Sequence, residues 1–175
     1  AGLDDLVFGG WDVFPDNVYE AASHAGVLQK ETLTALKDRL APIKPWKAAF
    51  DRNYVRRLEG SHIKTGKTKW DLAQQVREDV HRFKADHKVE RLVMIWCGST
   101  EIFLEAQAVH QTIESFEQGL KDNHEGIAPS MIYAYVALTE GIPFINGAPN
   151  LTVDFPAMQE LAKTNLYQAV VALGC

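Results

Sequence analysis

Three short polar stretches follow apolar runs in this sequence: Gly9 to Asn17, then Gly98, Ser99, Thr100 and Glu101, then Asn146, Gly147, Ala148, Pro149 and Asn150. Their residue types suit a ligand site. Glycine and alanine let a ligand approach the backbone, hydroxyls and amides offer hydrogen bonds, and unpaired N–H groups at a strand exit or helix start can hold an anion without a basic side chain. Taken singly, each stretch has a plainer reading, because glycine after a strand often marks only a turn and Ser-Thr-Glu is a common helix start with its cap. Recurrence at three strand ends favours binding. Ligands of open parallel sheets sit beyond the carboxyl ends of the strands.

The elements that must position these loops follow from periodicity. Leu6, Val7 and Phe8 run into Gly9 and Gly10, which reads as a buried strand and a turn. A helical pattern from Asp16 to about Ala25 stops at Gly26, and a second from Glu31 to Leu40 stops before Pro42, after which Pro42 and Pro45 impose an extended crossing. Thr68 is placed to cap a helix with Asp71 three residues on, and Ala73, Val76, Val80 and Phe83 line one face of it. The unbroken apolar run Leu92 to Cys97 predicts a central parallel strand covered on both faces. A helix from about Gln111 to Lys121 follows, then one opened by Pro129 and running through Leu138, closed by Gly141 and Pro143, before Phe144 and Ile145 resume a strand. This order predicts an α/β fold, Rossmann-like and doubly wound around a mostly parallel sheet.

Several function classes are excluded by what the residues cannot do. A length of 175 residues suits one domain or a large piece of one, and a net charge of -5 is unsuited to non-specific nucleic-acid binding. No apolar run reaches the roughly 18 residues needed to cross a bilayer, and Ala1 to Asp5 has neither a basic nor an apolar leader character. Cys97 and Cys175 fit neither a disulfide framework nor a zinc site, so a cytoplasmic setting is expected. Gly60 to Thr68 ends in Gly-Lys-Thr like a phosphate-binding loop, but five residues separate Gly60 from Gly66 and no apolar strand precedes them. The six histidines lack metal-ligand spacing, His81 and His87 being six apart, and are read as surface or core residues. Trp70 and Phe83 are read as packing residues rather than stacking platforms.

Phe8-Gly-Gly-Trp-Asp-Val-Phe-Pro-Asp-Asn17, Ile95-Trp-Cys-Gly-Ser-Thr-Glu101, Ala128-Pro-Ser-Met-Ile-Tyr-Ala-Tyr135 and Phe144-Ile-Asn-Gly-Ala-Pro-Asn-Leu-Thr152 resemble consecutive blocks of the NAD-dependent myo-inositol-phosphate synthases, in order and spacing. The resemblance is nearest the shorter prokaryotic type and extends from Leu3 to about Lys163. It implies an NAD-binding segment over residues 1–163 and an unmatched apolar tail over 164–175. It also implies an isomerase of inositol and phospholipid biosynthesis, in which NAD oxidises glucose 6-phosphate at carbon 5, an aldol closure joins carbons 1 and 6, and the same NADH reduces the product. Full-length members assemble as tetramers, so a homo-oligomer is expected. By the same resemblance Asp12, Asn17, Ser99, Thr100, Glu101 and Ser130 are cofactor residues, while Asn146, Gly147, Ala148, Asn150 and Thr152 belong to the loop that receives the substrate phosphate and neighbouring hydroxyls. Ala148 replaces the serine of many eukaryotic members and removes one donor.

The family's glycine-rich phosphate loop and its lysine-bearing segment Gly-Lys-Asp-Phe-Lys-Thr-Gly-Gln-Thr are both absent from these 175 residues. The sheet is therefore expected to be incomplete at both ends. The catalytic residues remain unassigned, and the chain alone is expected not to turn over, since the aldol step loses the cation that supports its developing charge. Two alternatives stay open: a non-catalytic NAD-binding or oligomer-docking truncated homologue, and an unrelated NAD-dependent oxidoreductase sharing the sheet.

Overall fold

The computed structural model describes Gly2 and residues 5–164, so most of the tail expected at 164–175 lies outside the described residues. Two compact units result. One contains the residues up to Ala48 with Glu59–Lys64, the other Ala49–Leu58 with the described residues from Thr65 onward.

In the first unit, β1 (Trp11–Asp12) pairs in parallel with β2 (Trp46–Lys47), Trp11 opposite Trp46 and Asp12 opposite Lys47. The two indoles pack at 5.6 Å between ring centres. The strand expected at Leu6 to Phe8 is not formed; those residues are exposed, at 53%, 41% and 66%. Gly10, expected in a turn, instead accepts the Trp46 N–H at 2.9 Å. An apolar run gives strand propensity, but a strand needs a partner's N–H and C=O groups, and here the partner reaches the chain later than the pattern suggested. The crossing after Pro45 is accordingly a strand. Helix α1 (Val18–Ala25) starts where Asn17 accepts the Glu20 N–H and ends on Gly26 at φ 64°, a left-handed cap that glycine takes without strain. The second helical pattern divides into α2 (Lys30–Ala35) and α3 (Lys37–Leu40), with the Leu36 N–H shared between Thr32 and Leu33 carbonyls.

In the second unit a 3-10 turn at Arg52–Tyr54 precedes α4 (Lys69–His87) and β3 (Met94–Trp96). Another at Ala108–His110 precedes α5 (Ile113–Lys121), α6 (Pro129–Thr139), β4 (Phe144–Asn146) and α7 (Pro156–Thr164). Thr68 caps α4 with Asp71 in reciprocal bonds, and Ala73, Val76 and Val80 are buried, as the periodicity predicts. Asp71 also accepts the N–H groups of Lys67 and Thr68, so a side-chain carboxylate already occupies the turn that mimics a phosphate loop. Helix α6, apolar on every side, is buried from Pro129 through Leu138 and packs against α4 and α7. Trp70 and Phe83 are half-buried packing residues, Trp70 lying 6.2 Å from the Tyr135 ring.

Strands β3 and β4 pair in parallel with Met94, Ile95 and Trp96 opposite Phe144, Ile145 and Asn146. Among the described residues β3 has this one partner strand, and Val93 and Ile95 are 58% and 57% exposed, which corrects the expectation of a central strand covered on both faces. The reason is the period of two along a strand: Met94 turns inward, and its neighbours must turn out.

His110 is a core histidine, fully buried and stacked on Phe155 at 4.1 Å. Its Nδ1 accepts the Gln107 N–H, which fixes the tautomer that donates from Nε2 to the Gly126 carbonyl at 2.8 Å. Burial holds the ring's pKa below the ordinary 6.5. A depressed folded-state value means that the unfolded chain takes up the proton first, so stability is lost as the pH falls below the ordinary value. Between about pH 7 and about pH 5 the urea midpoint is expected to drop more steeply in the wild type than in His110→Asn; equal slopes would contradict the assignment.

Candidate functional site at the carboxyl end of the parallel pair

Glu101, Ser130, Asn146, Asn150 and Thr152 converge in the second unit. Glu101 is only 6% exposed, and Ser130 and Thr152 are fully buried. The Glu101 carboxylate accepts the Ser130 N–H at 2.9 Å and the Ser130 hydroxyl at 2.5 Å, and the Asn150 amide approaches it at 3.3 Å. In return the Glu101 N–H donates to Asn150 Oδ1 at 3.0 Å, which fixes the orientation of that amide. Ser130 and Thr152 hydroxyls lie 2.9 Å apart, and Asn146 Nδ2 donates to the Asn150 carbonyl. Three segments distant in sequence are thereby tied through one buried acid. Desolvation raises the Glu101 pKa above the ordinary carboxyl value, opposed by the two hydrogen bonds from Ser130.

The local sequence explains why Glu101 sits there. Helix α6 begins Ala128-Pro129-Ser130, and Ala128 offers no side chain to cap it. Glu101 supplies the missing acceptor from another loop, and its negative charge meets the positive end of the helix dipole.

In front of this network the backbone is held close. Gly147 donates its N–H to the Trp96 carbonyl at 2.9 Å, and a Cβ on Gly147 would lie 2.9 Å from the same oxygen. A Cβ on Gly98 would lie 2.7 Å from the Trp96 ring, so the loop after β3 folds back over its own indole. The indole N–H is buried without a hydrogen-bond partner among the described residues. Ser99 and Thr100 are exposed beside it in sequence. Small residues, hydroxyls and an orphaned donor fit a ligand rich in acceptor oxygens, as a dinucleotide is.

Eleven residues carried the binding expectation, and the structure sorts them by exposure. Ser99, Thr100 and Gly147 are exposed; Glu101, Ser130, Asn146, Ala148 and Thr152 are buried, and Asn150 is intermediate. Ala148 sits with its N–H on Asn146 Oδ1 at 3.1 Å. In the first unit, Asp12 is exposed on β1 and accepts the Phe14 N–H, while the side-chain oxygen of Asn17 is engaged as the α1 cap. Lys69 and Tyr54, hydrogen-bonded to each other at 2.7 Å, carry no motif and were not legible from sequence. Among the described residues no group of three metal-ligating side chains occurs, and no helix is long and apolar enough to cross a membrane.

Residues 1–172 match a family model for an NAD-binding domain, described as myo-inositol-1-phosphate synthase. Inositol-3-phosphate synthase 1 of Bacteroides thetaiotaomicron is 51% identical over 162 residues, which cover 92% of this chain and 38% of that protein. The Saccharomyces cerevisiae inositol-3-phosphate synthase is 30% identical over 172 residues, covering 91% and 32%. A crystal structure of the Caenorhabditis elegans inositol-3-phosphate synthase matches with a TM-score of 0.88 at 26% identity, over 94% of this chain and 33% of that one. The chain thus spans about a third of the relatives' length. Short parallel strands with flanking helices form part of the same Rossmann-like α/β fold.

Proposed function

The chain belongs to the myo-inositol-1-phosphate synthase family, and on that premise we propose that it serves the NAD-dependent isomerisation of glucose 6-phosphate to inositol phosphate as the cofactor-binding part. The observation that supports this most directly is the buried Glu101–Ser130–Thr152–Asn150 network at the exit of two parallel strands. NAD, when bound, supplies a hydride acceptor and donor for a conversion with no net redox change.

In this reading Ser99 and Thr100 face the cofactor, while Glu101 and Ser130 act from behind by fixing the loop that presents them. Asp12 and Asn17 are the cofactor residues proposed for the first unit. Asn146, Gly147, Ala148, Asn150 and Thr152 form the substrate-phosphate loop, where Gly147 and Ala148 offer backbone rather than charged groups. A cytoplasmic location and assembly into a homo-oligomer, a tetramer in the full-length family, belong to the same proposal.

No lysine or arginine hydrogen-bonds to Glu101, Ser130, Asn150 or Thr152 among the described residues. The 175-residue polypeptide is therefore expected to bind NAD without forming inositol phosphate, because developing alkoxide charge needs a positioned cation. Calorimetric titration with NAD, followed by addition of glucose 6-phosphate and assay for inositol phosphate, checks this. Thr100→Val is expected to weaken NAD about tenfold, the worth of one hydrogen bond to a charged group. A folded wild-type sample that takes up no NAD would count against the cofactor role, and turnover would show that the cation is not needed. The second reading, a non-catalytic chain that keeps NAD binding or docks on a longer partner, is favoured if binding survives while a longer family member deprived of its own cofactor-binding part gains no activity from this chain.

A further inference from the structure

Lys69, the first residue of α4, is half-buried and directs its ammonium to three acceptors. Nζ donates to the Tyr54 hydroxyl, the His124 carbonyl and the Ile127 carbonyl, each at 2.7 Å, and lies 4.9 Å from the centre of the Tyr54 ring. Three donors meet three acceptors, so the ammonium has no hydrogen-bonding capacity left over. The Tyr54 hydroxyl donates in turn to the Glu125 carbonyl at 2.7 Å, and the Tyr54 carbonyl accepts the Ile102 N–H at 2.8 Å. Below the ammonium, the Lys69 N–H donates to Asn123 Oδ1 at 2.7 Å.

These bonds end on the two segments whose relative position decides the network described above. Ile102 follows Glu101, and Ile127 precedes Ala128 at the start of α6, whose second residue is Ser130. Glu101 lies in a stretch, residues 97–107, with no regular structure of its own, so something outside that stretch must set its separation from Ser130. Resting on the cofactor reading for its functional meaning, the geometry points to Lys69 as a positioning residue that, through Tyr54, clamps the residue after Glu101 against the approach to α6 and so holds Glu101 on Ser130. A cost accompanies the arrangement: burial lowers the Lys69 pKa, opposed by Asp51 and Glu125. Half-burying a lysine to bind two carbonyls and a phenol is unnecessary for helix α4, which already carries its own cap.

The test uses the 175-residue protein. Lys69→Met removes the ammonium and Tyr54→Phe removes only the hydroxyl, while Val80→Ala serves as a comparably destabilised variant in the same unit. Amide hydrogen exchange at Ser130 and the carbon-13 titration of the Glu101 carboxyl are followed by NMR. In Lys69→Met the Ser130 amide is expected to exchange about tenfold faster and the Glu101 midpoint to rise, as the bonds that lower it loosen. Tyr54→Phe moves both in the same direction and carries the test if Lys69→Met does not fold. Val80→Ala leaves both in place. Wild-type values in both clamp variants, or an equal response from Val80→Ala, overturn the proposal. If Ser130 and Glu101 respond as expected while the wild type binds no NAD, the clamp stands and the cofactor reading fails. If NAD binds and weakens in step with Ser130 exchange across the variants, both stand.

Discussion

Glu101→Ala is expected to lower the stability of the second unit by about 3 kcal/mol at neutral pH. Three donors face the carboxylate, and they differ in what they can do without it. The Ser130 hydroxyl can turn to Thr152, 2.9 Å away. The Ser130 N–H has no such alternative, being buried in the first turn of α6 where Ala128 provides no cap. Asn150 Nδ2 loses an acceptor while its Oδ1 remains tied to the residue 101 backbone. Orphaning the buried Ser130 N–H by removing its cap costs about 1 to 3 kcal/mol and each further lost hydrogen bond about 1, against some relief from no longer desolvating a charge.

The pH dependence separates this account from simple loss of packing. Because the folded-state pKa of Glu101 is raised, the folded protein takes up this proton before the unfolded chain does. That contribution is present below the ordinary carboxyl value and is lost as the pH rises through the folded one. The stability gap between wild type and Glu101→Ala should therefore widen as the pH falls from about 7 toward about 5. His110 works in the opposite direction over the same interval, but it is common to both proteins and cancels. Glu101→Gln should fall between the two, because either orientation of the new amide sets an NH2 against the Ser130 N–H or against Asn150 Nδ2. Urea unfolding of the three proteins at several pH values decides the matter. A gap under about 0.5 kcal/mol that does not change with pH would show that the network is not what holds these segments.

Gly147→Val is expected to cost about 3 kcal/mol and to separate the chain after β4 from β3. The Gly147 N–H bonds to the Trp96 carbonyl, and any Cβ at this position would press on that same oxygen at 2.9 Å. The neighbouring atom is backbone in a strand paired to β4, so it cannot swing aside as a side chain would. Gly147→Ala should show the smaller part of the effect. Gly10→Ala is the control, since a Cβ there meets nothing within 4 Å. The measurement is the urea midpoint, together with the Gly147 amide shift as a reporter of the bond to Trp96. Equal midpoints for Gly147→Val and Gly10→Ala would mean that the close approach is dispensable. Retained stability with a lost Gly147–Trp96 bond would mean instead that the loop can be held by Asn146 and Asn150 alone.

How much of this was legible beforehand depends on the range of the interaction. Thr68 as a cap, Gly26 as a stop and Pro129 as a helix opener were readable, because a cap bonds to a residue three positions away and its geometry is written in adjacent letters, whereas the cap at Asn17 came only with the structure. The parallel strand at Met94–Trp96 and its partner at Phe144–Asn146 were readable as apolar runs. Leu6 to Phe8 had the same appearance and formed no strand, because pairing depends on a partner that the run itself does not encode. The motif blocks carried the family, and they did so independently of whether each residue touches a ligand or supports one that does.

The sequence by itself therefore determined the family, the helices α1, α4, α5 and α6, and which loops gather small and polar residues at strand exits, but neither α7 nor the division between α2 and α3. All of these follow from local periodicity or from ordered motifs. Only the tertiary structure decided that Glu101 is a buried acid capping α6 rather than an exposed ligand group, that Ser130 and Thr152 face each other behind the loop, and that Lys69 spends its ammonium on Tyr54 and two carbonyls. Such pairings join residues from 15 to 58 positions apart. Whether a charged side chain in that situation is solvated or buried depends on which donors and acceptors the fold brings to it, and no local pattern records that.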